Sequence, residues 1–418
     1  MKNFTLILFA LFFGFTTNAQ SQWTLYNSEN SDLPQNVVGS IVIDDSGDKW
    51  IGTHGGGLAM FDGNTWTVYN EDNSDLPDNF VRSLVIDADD VKWIGTNQGL
   101  AKFDGTNWTV YNQWDSGLPQ NRVESIAIDA NGDKWIGTWA GGMVKFDGTT
   151  WTVYNKSNSD LPDDEVHTIV IDTNDDKWIG SGDAWNAGGL AKFDGINWSI
   201  YNEENSDLPS DRIQAMVIDD NNNKWIGTDF GGIAKFDGVN WTVYDKDNSD
   251  LPENNITSIG IDLNNELWIG TFHFSSIALS KFNNLNWITY DETNSELPQY
   301  WSNTIIVDQD NKKWMGTSGG VVVFTDTGEP ASTKGSFNFN TNIKTYPNPA
   351  HNQLNIELPP SSSKVQDIEV YNLMGKLVLN QKAVSNLNTI DISTLTTGTY
   401  IIKVQTESTV LTSKVVKQ

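Results

Sequence analysis

The chain has 418 residues, which is enough for one large domain and a smaller one. It contains no cysteine, so disulfides and thiol chemistry are excluded. Its formal net charge of −28 repels nucleic acid and anionic lipid, and we expect neither as a partner.

Residues 1–19 predict a secretory signal peptide. Lys2 precedes the apolar run Leu6–Phe15, and small residues at 17–19 offer a cleavage site. This run is shorter than the ~20 residues that a transmembrane helix needs. No later segment is long and apolar enough either. We therefore expect an exported protein with no integral membrane segment. We also expect it to be monomeric.

A repeat with steps of 42 to 47 residues fills residues 21–325. One tryptophan of the repeat, in the motif K/L-W-I/M-G, recurs at Trp50, Trp93, Trp135, Trp178, Trp225, Trp268 and Trp314. A second, which usually opens W-T-V-Y, recurs at Trp23, Trp66, Trp108, Trp151, Trp198, Trp241 and Trp287. Each unit contains four short strand patterns, A to D, separated by turn sequences rich in Asp and Gly. Four strands in about 40–50 residues are typical of a β-propeller blade.

The two ends of the repeat array predict how the propeller closes. The chain enters the array at a strand D, residues 23–26, and leaves it at a strand C, residues 321–324. The seventh blade is complete only if these two strands pair, and that pairing removes the free edges of the ring. We therefore predict an all-β fold, a seven-bladed β-propeller whose N-terminal strand closes the last blade.

The repeat units resemble the two-component regulator propeller repeat. Residues 41–62, IVIDDSGDKWIGTHGGGLAMFD, show its order of a strand, D-x-x-G-x-x-W-x-G-T and a Gly-rich turn. The resemblance covers about residues 21–325. In that family such propellers often form periplasmic sensor domains of hybrid histidine kinases that detect glycans, so the resemblance implies ligand binding. This chain has no kinase or receiver segment, and we do not expect it to transmit signals itself.

Residues 326–343 are polar and unpatterned and indicate a linker. Residues 344–418 then alternate as a small immunoglobulin-like β-sandwich. TYPNPAHNQLNIEL, VYNLMGKLVLN, ISTLTTGTYIIKV and a terminal KVVKQ follow one another in this segment. They resemble the type A C-terminal sorting domain of the type IX (Por) secretion system. The resemblance implies that the type IX machinery is a partner, and that the protein is secreted or attached to the outer cell surface. A generic immunoglobulin-like domain is the alternative.

One face of the predicted propeller collects the residues that vary. Connections of an antiparallel meander alternate between the two ends of the sheet, so the D-to-A linkers and the B-to-C turns share one face. Strand A lines the central channel in propellers, so its start lies at the channel mouth on this face. We therefore name it the mouth face. Each linker has a proline shortly before strand A: Pro34, Pro77, Pro119, Pro162, Pro209, Pro252 and Pro298. The third and fifth residues after it, named Pro+3 and Pro+5, begin strand A.

Residues that the repeat does not require map to the mouth face. The out-of-frame aromatic and histidine candidates are Trp114, Trp139, Trp185, Trp301, Phe80, Phe230, Phe272 and His273. At Pro+3 or Pro+5 lie all three arginines and one histidine: Arg82, Arg122, Arg212 and His167. Aromatic rings stack on apolar sugar faces, and guanidinium or carboxamide groups bind hydroxyl pairs. We therefore expect a non-catalytic propeller that binds a polysaccharide or oligosaccharide on this face.

Alternatives stay open at this point. Glu124, Glu165 and His167 lie at the mouths of neighbouring blades and could serve a polysaccharide lyase or a glycoside hydrolase. The face could also serve adhesion or protein–protein contact. Each arginine could simply pair with a nearby carboxylate such as Asp78 or Asp211. The A-to-B turns begin like calcium loops but lack the Glu at position 12, so we expect no metal or other cofactor, with calcium as the alternative.

Overall fold

The computed structural model describes residues 22–182, 188–273, 276–284, 286–292, 294–298, 300–326, 344–357, 365–372, 377–382, 387–406 and 410–418. These residues form strands and turns, and no α-helix occurs among them. Accordingly, this part of the chain has no helix long and apolar enough to cross a membrane. The predicted signal peptide and most of the predicted linker lie outside the described residues and stay predictions.

Seven four-stranded antiparallel sheets carry the repeat, and each has its strands in the spatial order A to D. Strands A are β2 (Val38–Ile43), β6 (Val81–Ile86), β10 (Val123–Ile128), β14 (Val166–Ile171), β18 (Ile213–Ile218), β22 (Ile256–Ile261) and β26 (Ser302–Val307). Strands B are β3 (Lys49–Thr53), β7 (Lys92–Thr96), β11 (Lys134–Thr138), β15 (Lys177–Ser181), β19 (Lys224–Thr228), β23 (Leu267–His273) and β27 (Lys313–Thr317). Strands C are β4 (Gly57–Phe61), β8 (Gly99–Phe103), β12 (Met143–Phe146), β16 (Gly189–Phe193), β20 (Ile233–Phe236), β24 (Ser276–Phe282) and β28 (Gly320–Phe324). Strands D are β1 (Trp23–Tyr26), β5 (Trp66–Tyr69), β9 (Trp108–Tyr111), β13 (Trp151–Tyr154), β17 (Trp198–Tyr201), β21 (Trp241–Tyr244) and β25 (Trp287–Tyr290).

The sheets close into a ring, and we number the blades 1 to 7 by their strands A in chain order. Consecutive strands A lie side by side around the centre, and β26 returns to β2. The first strand of the array, β1, pairs antiparallel with β28 of the last blade and places Trp23 opposite Phe324. The prediction of a seven-bladed propeller closed by its N-terminal strand is therefore confirmed.

The hydrophobic core lies between neighbouring blades. Trp50 of blade 1 is buried in one cluster with Leu84 and Phe103 of blade 2. The strand-B tryptophans are all buried in this way. The strand-D tryptophans are half-buried apart from Trp23, and Trp66 stacks on Phe61 of its own blade with ring centroids 4.5 Å apart. Packing between blades thus accounts fully for the first tryptophan of the repeat and in part for the second.

Aspartates of the A-to-B turns connect the blades. In every blade the first Asp of this turn accepts a hydrogen bond from the indole of the strand-B tryptophan six residues later, over 2.8–3.1 Å. At five joints the same carboxylate pairs with the lysine that opens strand B of the next blade: Lys92–Asp44, Lys134–Asp87, Lys177–Asp129, Lys224–Asp172 and Lys313–Asp262. These contacts explain the Asp at this spacing without a calcium ion. The described residues contain no group of His, Asp and Glu side chains suited to a metal ion.

The C-terminal unit is a two-sheet sandwich. Its strands are β29 (Lys344–Tyr346), β30 (Gln353–Glu357), β31 (Val365–Asn372), β32 (Leu377–Lys382), β33 (Leu387–Asp391), β34 (Gly398–Thr406) and β35 (Val410–Lys417). One sheet has the order β29-β30-β33 and the other β32-β31-β34-β35. Leu354 and Ile390 of the first sheet pack with Ile368 and Ile402 of the second in one buried core. The predicted immunoglobulin-like sandwich is confirmed.

Candidate functional site

Backbone hydrogen bonds join the B-to-C turns to the linkers on the mouth face. The N–H of Trp139 donates to the carbonyl of Arg122 at the head of strand A in the same blade, over 3.1 Å. Three residues later the N–H of Gly142 donates to the carbonyl of Asp164 in the following linker, over 2.9 Å. Comparable bonds recur in other blades. Turns and linkers therefore form one continuous surface around the channel mouth.

Every strand A is irregular at Pro+5. In blade 1, Val38 pairs with Thr53 and Ser40 with Gly52, which leaves Gly39 outside the ladder. The other six strands A shift register at the same position. The residues left out are Gly39, Arg82, Glu124, His167, Gln214, Thr257 and Asn303. Bulges re-aim side chains and are frequent next to functional sites, so Pro+5 can vary without disturbing the sheet.

Two arginines share one carboxylate at the mouths of blades 2 and 3. Arg82 Nη1 lies 3.3 Å from Glu124 Oε2, and Arg82 Nε donates to Asn97 Oδ1 over 2.6 Å. Arg122 Nε donates to the other oxygen of Glu124. The Arg122 guanidinium carbon also lies 3.6 Å from the centroid of the Trp139 ring. Glu124 therefore serves as a counter-ion for two guanidinium groups.

The third arginine pairs with a turn residue of its own blade. Arg212 forms an ion pair with Asp229, whose side chain is only 8% exposed. Burial raises the pKa of the Asp229 carboxyl, and the neighbouring Arg212 opposes that rise. Asp78 and Asp211 instead accept backbone N–H groups within the linkers. The alternative that each arginine pairs with a carboxylate is therefore correct. The ion-pair partners are Glu124 and Asp229, not Asp78 and Asp211.

His167 and Glu165 complete the charged part of the face. His167 Nε2 lies 2.9 Å from the carbonyl of Gly182 and 3.4 Å from Glu165 Oε1. Burial lowers the pKa of His167, so the ring is neutral near pH 7 and Nε2 carries the hydrogen that it donates to Gly182. We name as the charged arc the side chains of Arg82, Arg122, Arg212, Glu124, Glu165 and Asp229.

A histidine fills the mouth of blade 1, where Pro+5 is a glycine. The His54 ring stacks on Phe80 with centroids 4.2 Å apart and an interplanar angle of 17°. A Cβ on Gly39 would overlap His54 Nε2, so the glycine makes room for this ring. Burial, together with the charges of Arg82 and Arg122, lowers the pKa of His54 to about 4.

A cavity of about 300 Å³ lies on the other side of the mouth, in blades 5 to 7. Its lining residues are Gln214, Asn255, Ile256, Thr257, Phe272, Trp301 and Asn303. Phe272 and Trp301 meet edge to face, with centroids 5.3 Å apart and an interplanar angle of 69°. Asn303 Nδ2 donates to the Val38 carbonyl over 2.8 Å, which fixes that amide. We name this the blade 5–7 cavity; it combines an aromatic corner with three carboxamides.

The remaining predicted contacts lie elsewhere on the face. Trp114 is 74% exposed in the linker before blade 3, and Phe230 is 68% exposed in the B-to-C turn of blade 5. Phe230 has a φ of 64°, an uncommon conformation for a residue with a side chain. Trp185 and the side chain of His273 fall outside the described part of the chain. Thus, among the predicted aromatic residues that the structure describes, Phe272 and Trp301 are the two brought together at the cavity.

Several residues of the site were not selected from the sequence. The cavity residues Gln214, Asn255, Thr257 and Asn303 all occupy Pro+3 or Pro+5. Charge and aromaticity do not identify these residues as candidates, because they are neutral and not aromatic. Their positions at Pro+3 and Pro+5 would have identified them. His54 and Asp229 each occupy the first position after strand B, and their roles depend on contacts that spacing does not encode.

Residues 344–418 match the family model of the secretion system C-terminal sorting domain. The predicted type IX sorting domain is therefore confirmed, and such a domain implies interaction with the secretion machinery. The protein is secreted or attached to the cell surface. No curated protein sequence matches the chain.

Solved structures share the fold of the chain. The extracellular domain of BT3049, assigned to a hybrid two component system of B. thetaiotaomicron, aligns with a TM-score of 0.64 and 18% identity over 96% of this chain and 58% of that one. PorZ, an essential surface component of the type-IX secretion system of Porphyromonas gingivalis, aligns with a TM-score of 0.56 and 17% identity over 92% of this chain and 59% of that one. Virginiamycin B lyase from Staphylococcus aureus aligns with a TM-score of 0.58 and 15% identity over 72% of this chain and 98% of that one.

The chain thus spans less than two thirds of the length of the first two proteins. At these identities the likeness concerns the fold, and function has to be argued from the site. The likeness to a two-component extracellular propeller agrees with the resemblance of the repeats.

Proposed function

We propose that the protein is a secreted or surface-attached binding protein whose propeller, about residues 21–325, binds a glycan on the mouth face without altering it. The blade 5–7 cavity carries the proposal. Its aromatic corner, Phe272 and Trp301, offers apolar surface for the CH face of a sugar ring. The carboxamides of Gln214, Asn255 and Asn303 both donate and accept hydrogen bonds, as neighbouring sugar hydroxyls require.

Size and rigidity support the same function. The cavity volume of about 300 Å³ is at the lower end of the range of about 300–1,000 Å³ for small-molecule sites, which suits a sugar unit or a chain end. The lining residues stand at the starts of strands A or, in the case of Phe272, near the end of a strand B, in a closed ring whose core is buried between the blades. Such a scaffold holds the contacts in place before the ligand arrives and so lowers the entropic cost of binding.

The contacts of the charged arc favour binding over catalysis. Glu124 contacts both Arg82 and Arg122. His167 Nε2 is bonded to the Gly182 carbonyl. A lyase or hydrolase would need Glu124, Glu165 or His167 to exchange a proton with substrate, whereas Glu124 and His167 are engaged in the contacts just described. Adhesion through protein contacts has no comparable observation in its favour.

An array of neutral and acidic polysaccharides probed with the full-length protein tests the proposal. We expect binding to at least one glycan and no release of reducing ends or unsaturated sugars. Phe272→Ala should weaken that binding about tenfold or more, because a central aromatic contact is lost. Phe230→Ala is the matched control, since Phe230 is exposed outside the cavity. A blank array with captured proteins would favour adhesion, and product release would favour an enzyme; either result contradicts the proposal.

A further inference from the structure

The mouth face has a charged part in blades 2 to 5 and an uncharged part in blades 5 to 7, so that blade 5 contributes to both. The charged arc belongs to blades 2 to 5 and contains three guanidinium groups and three carboxylates. His54 and His167 beside it are neutral near pH 7, because burial lowers the pKa of both rings. The arc therefore carries no net charge, and each of its arginines already contacts a carboxylate.

An acidic sugar could take over the existing contacts of these arginines only by displacing Glu124 or Asp229. The Glu124 and Asp229 side chains are only 11% and 8% exposed, so the displaced group would remain buried without its cation. Leaving a buried charge unpaired is strongly unfavourable. The formal net charge of −28 adds a repulsion that any polyanion meets on approach. The charged arc is therefore poorly suited to bind a uronate.

The blade 5–7 cavity differs in that none of its lining residues is charged. Its polar groups are the amides of Gln214, Asn255 and Asn303 and the Thr257 side chain. An amide forms hydrogen bonds with a hydroxyl as readily as with a carboxylate. It supplies no charge, however, that would compensate for the desolvation of an acid. This set of groups selects against ionised ligands.

We propose that the blade 5–7 cavity binds an uncharged sugar residue of a neutral glycan, and that the arginines hold the mouth in shape without contacting the ligand. This inference rests on the proposed glycan-binding function and adds its ligand class. It also separates the site from a uronate-cleaving enzyme, in which an arginine would neutralise the substrate carboxylate.

Matched glycan pairs that differ in the carboxylate test the ligand class. Calorimetric titration of the full-length protein would compare soluble β-1,4-mannan with β-1,4-polymannuronate, and soluble β-1,4-glucan with β-1,4-polyglucuronate. In whichever pair binds, we expect the neutral member to bind about tenfold more tightly or better, which corresponds to about 1.4 kcal/mol. Equal or tighter binding of the acidic member overturns the inference while leaving glycan binding intact. Failure of all four polymers and of the array would overturn the proposed function itself.

Two variants identify which part of the mouth face contacts the ligand. Asn255→Asp replaces a donor by a negative charge at unchanged volume and should weaken neutral binding about tenfold or more. The double variant Arg212→Gln/Asp229→Asn removes an ion pair of the charged arc without leaving a lone charge, and should keep neutral affinity within about twofold. Loss of affinity in the double variant, with Asn255→Asp unaffected and both proteins folded by circular dichroism, would place the ligand on the arc instead.

Discussion

Lys313 Nζ lies 3.1 Å from Asp262 Oδ2, and both side chains are completely buried where blade 7 meets blade 6. At the preceding joint, between blades 5 and 6, the contacts of this aspartate differ. Leu267 stands where the lysine would be, and Asn223 Nδ2 donates to Asp219 Oδ2 over 2.8 Å. The propeller therefore holds this carboxylate by a lysine of the next blade at one joint and by an amide of its own turn at the joint before.

The first prediction concerns the ionic joint. Lys313→Leu leaves Asp262 buried without a cation and should lower the free energy of unfolding by about 3–5 kcal/mol. The double variant Lys313→Leu/Glu266→Asn copies the Leu267 and Asn223 arrangement, because Glu266 follows Asp262 by four residues as Asn223 follows Asp219. It should recover a large part of the loss in urea unfolding. A single variant as stable as the parent chain, or a double variant no better than the single, would refute this account of the joint.

The second prediction concerns strongly acidic solution. Burial alone would raise the pKa of Asp262, but hydrogen bonds from Trp268, the backbone and Lys313 hold it below its usual value. The stabilisation is therefore complete above the unfolded pKa of about 3.9 and is lost as the pH falls through the folded value. Unfolding free energy should drop steeply below about pH 4, and less steeply in Lys313→Leu/Asp262→Asn. Parallel curves for the two proteins would show that the pair does not contribute to acid sensitivity.

The third prediction concerns mild acid and His54. Its folded pKa of about 4 lies below the ordinary value of 6.5, so the unfolded chain binds the proton first as the pH falls. Between these values the parent chain should lose stability, by up to about 3 kcal/mol for a fully buried ring and by less here. His54→Asn, which copies Asn97 of the next blade, should remove the part of that loss that His54 causes, whereas the part due to His167, whose pKa burial also lowers, should remain. Stability measured from pH 7 to pH 4 checks this, and an unchanged slope in the variant contradicts it.

The fourth prediction concerns ring closure. Trp23 is 8% exposed and its ring centroid lies 4.6 Å from that of Phe324 in the last blade. Trp23→Ala should cost about 3–5 kcal/mol, because it empties the core of the strand that closes the ring. Trp66→Ala, at the equivalent half-buried position of blade 1, should cost clearly less. If the two variants unfold at the same urea concentration, the closing strand has no special role.

Sequence repetition was enough to predict the seven blades and their closure, since the ends of the array fall at different strands of one unit. It also placed the variable residues on one face, because connections alternate in a meander. The contacts across that face were not predictable. Arg82 reaches Glu124 on the next blade and Arg212 reaches Asp229 in a turn, and neither partner is a sequence neighbour. The cavity residues are neutral amides, whose importance depends on being adjacent to Phe272 and Trp301 in three dimensions.

The most direct test is a calorimetric comparison of two tryptophan variants with the glycan that the full-length protein binds. Trp301 is 42% exposed and lines the cavity, whereas Trp114 is 74% exposed and lies in a linker outside it, so neither change should disturb the core. We predict that Trp301→Ala weakens binding about tenfold or more and that Trp114→Ala changes it less than about twofold. Unchanged affinity in Trp301→Ala, or a larger loss in Trp114→Ala, would contradict glycan binding in the blade 5–7 cavity.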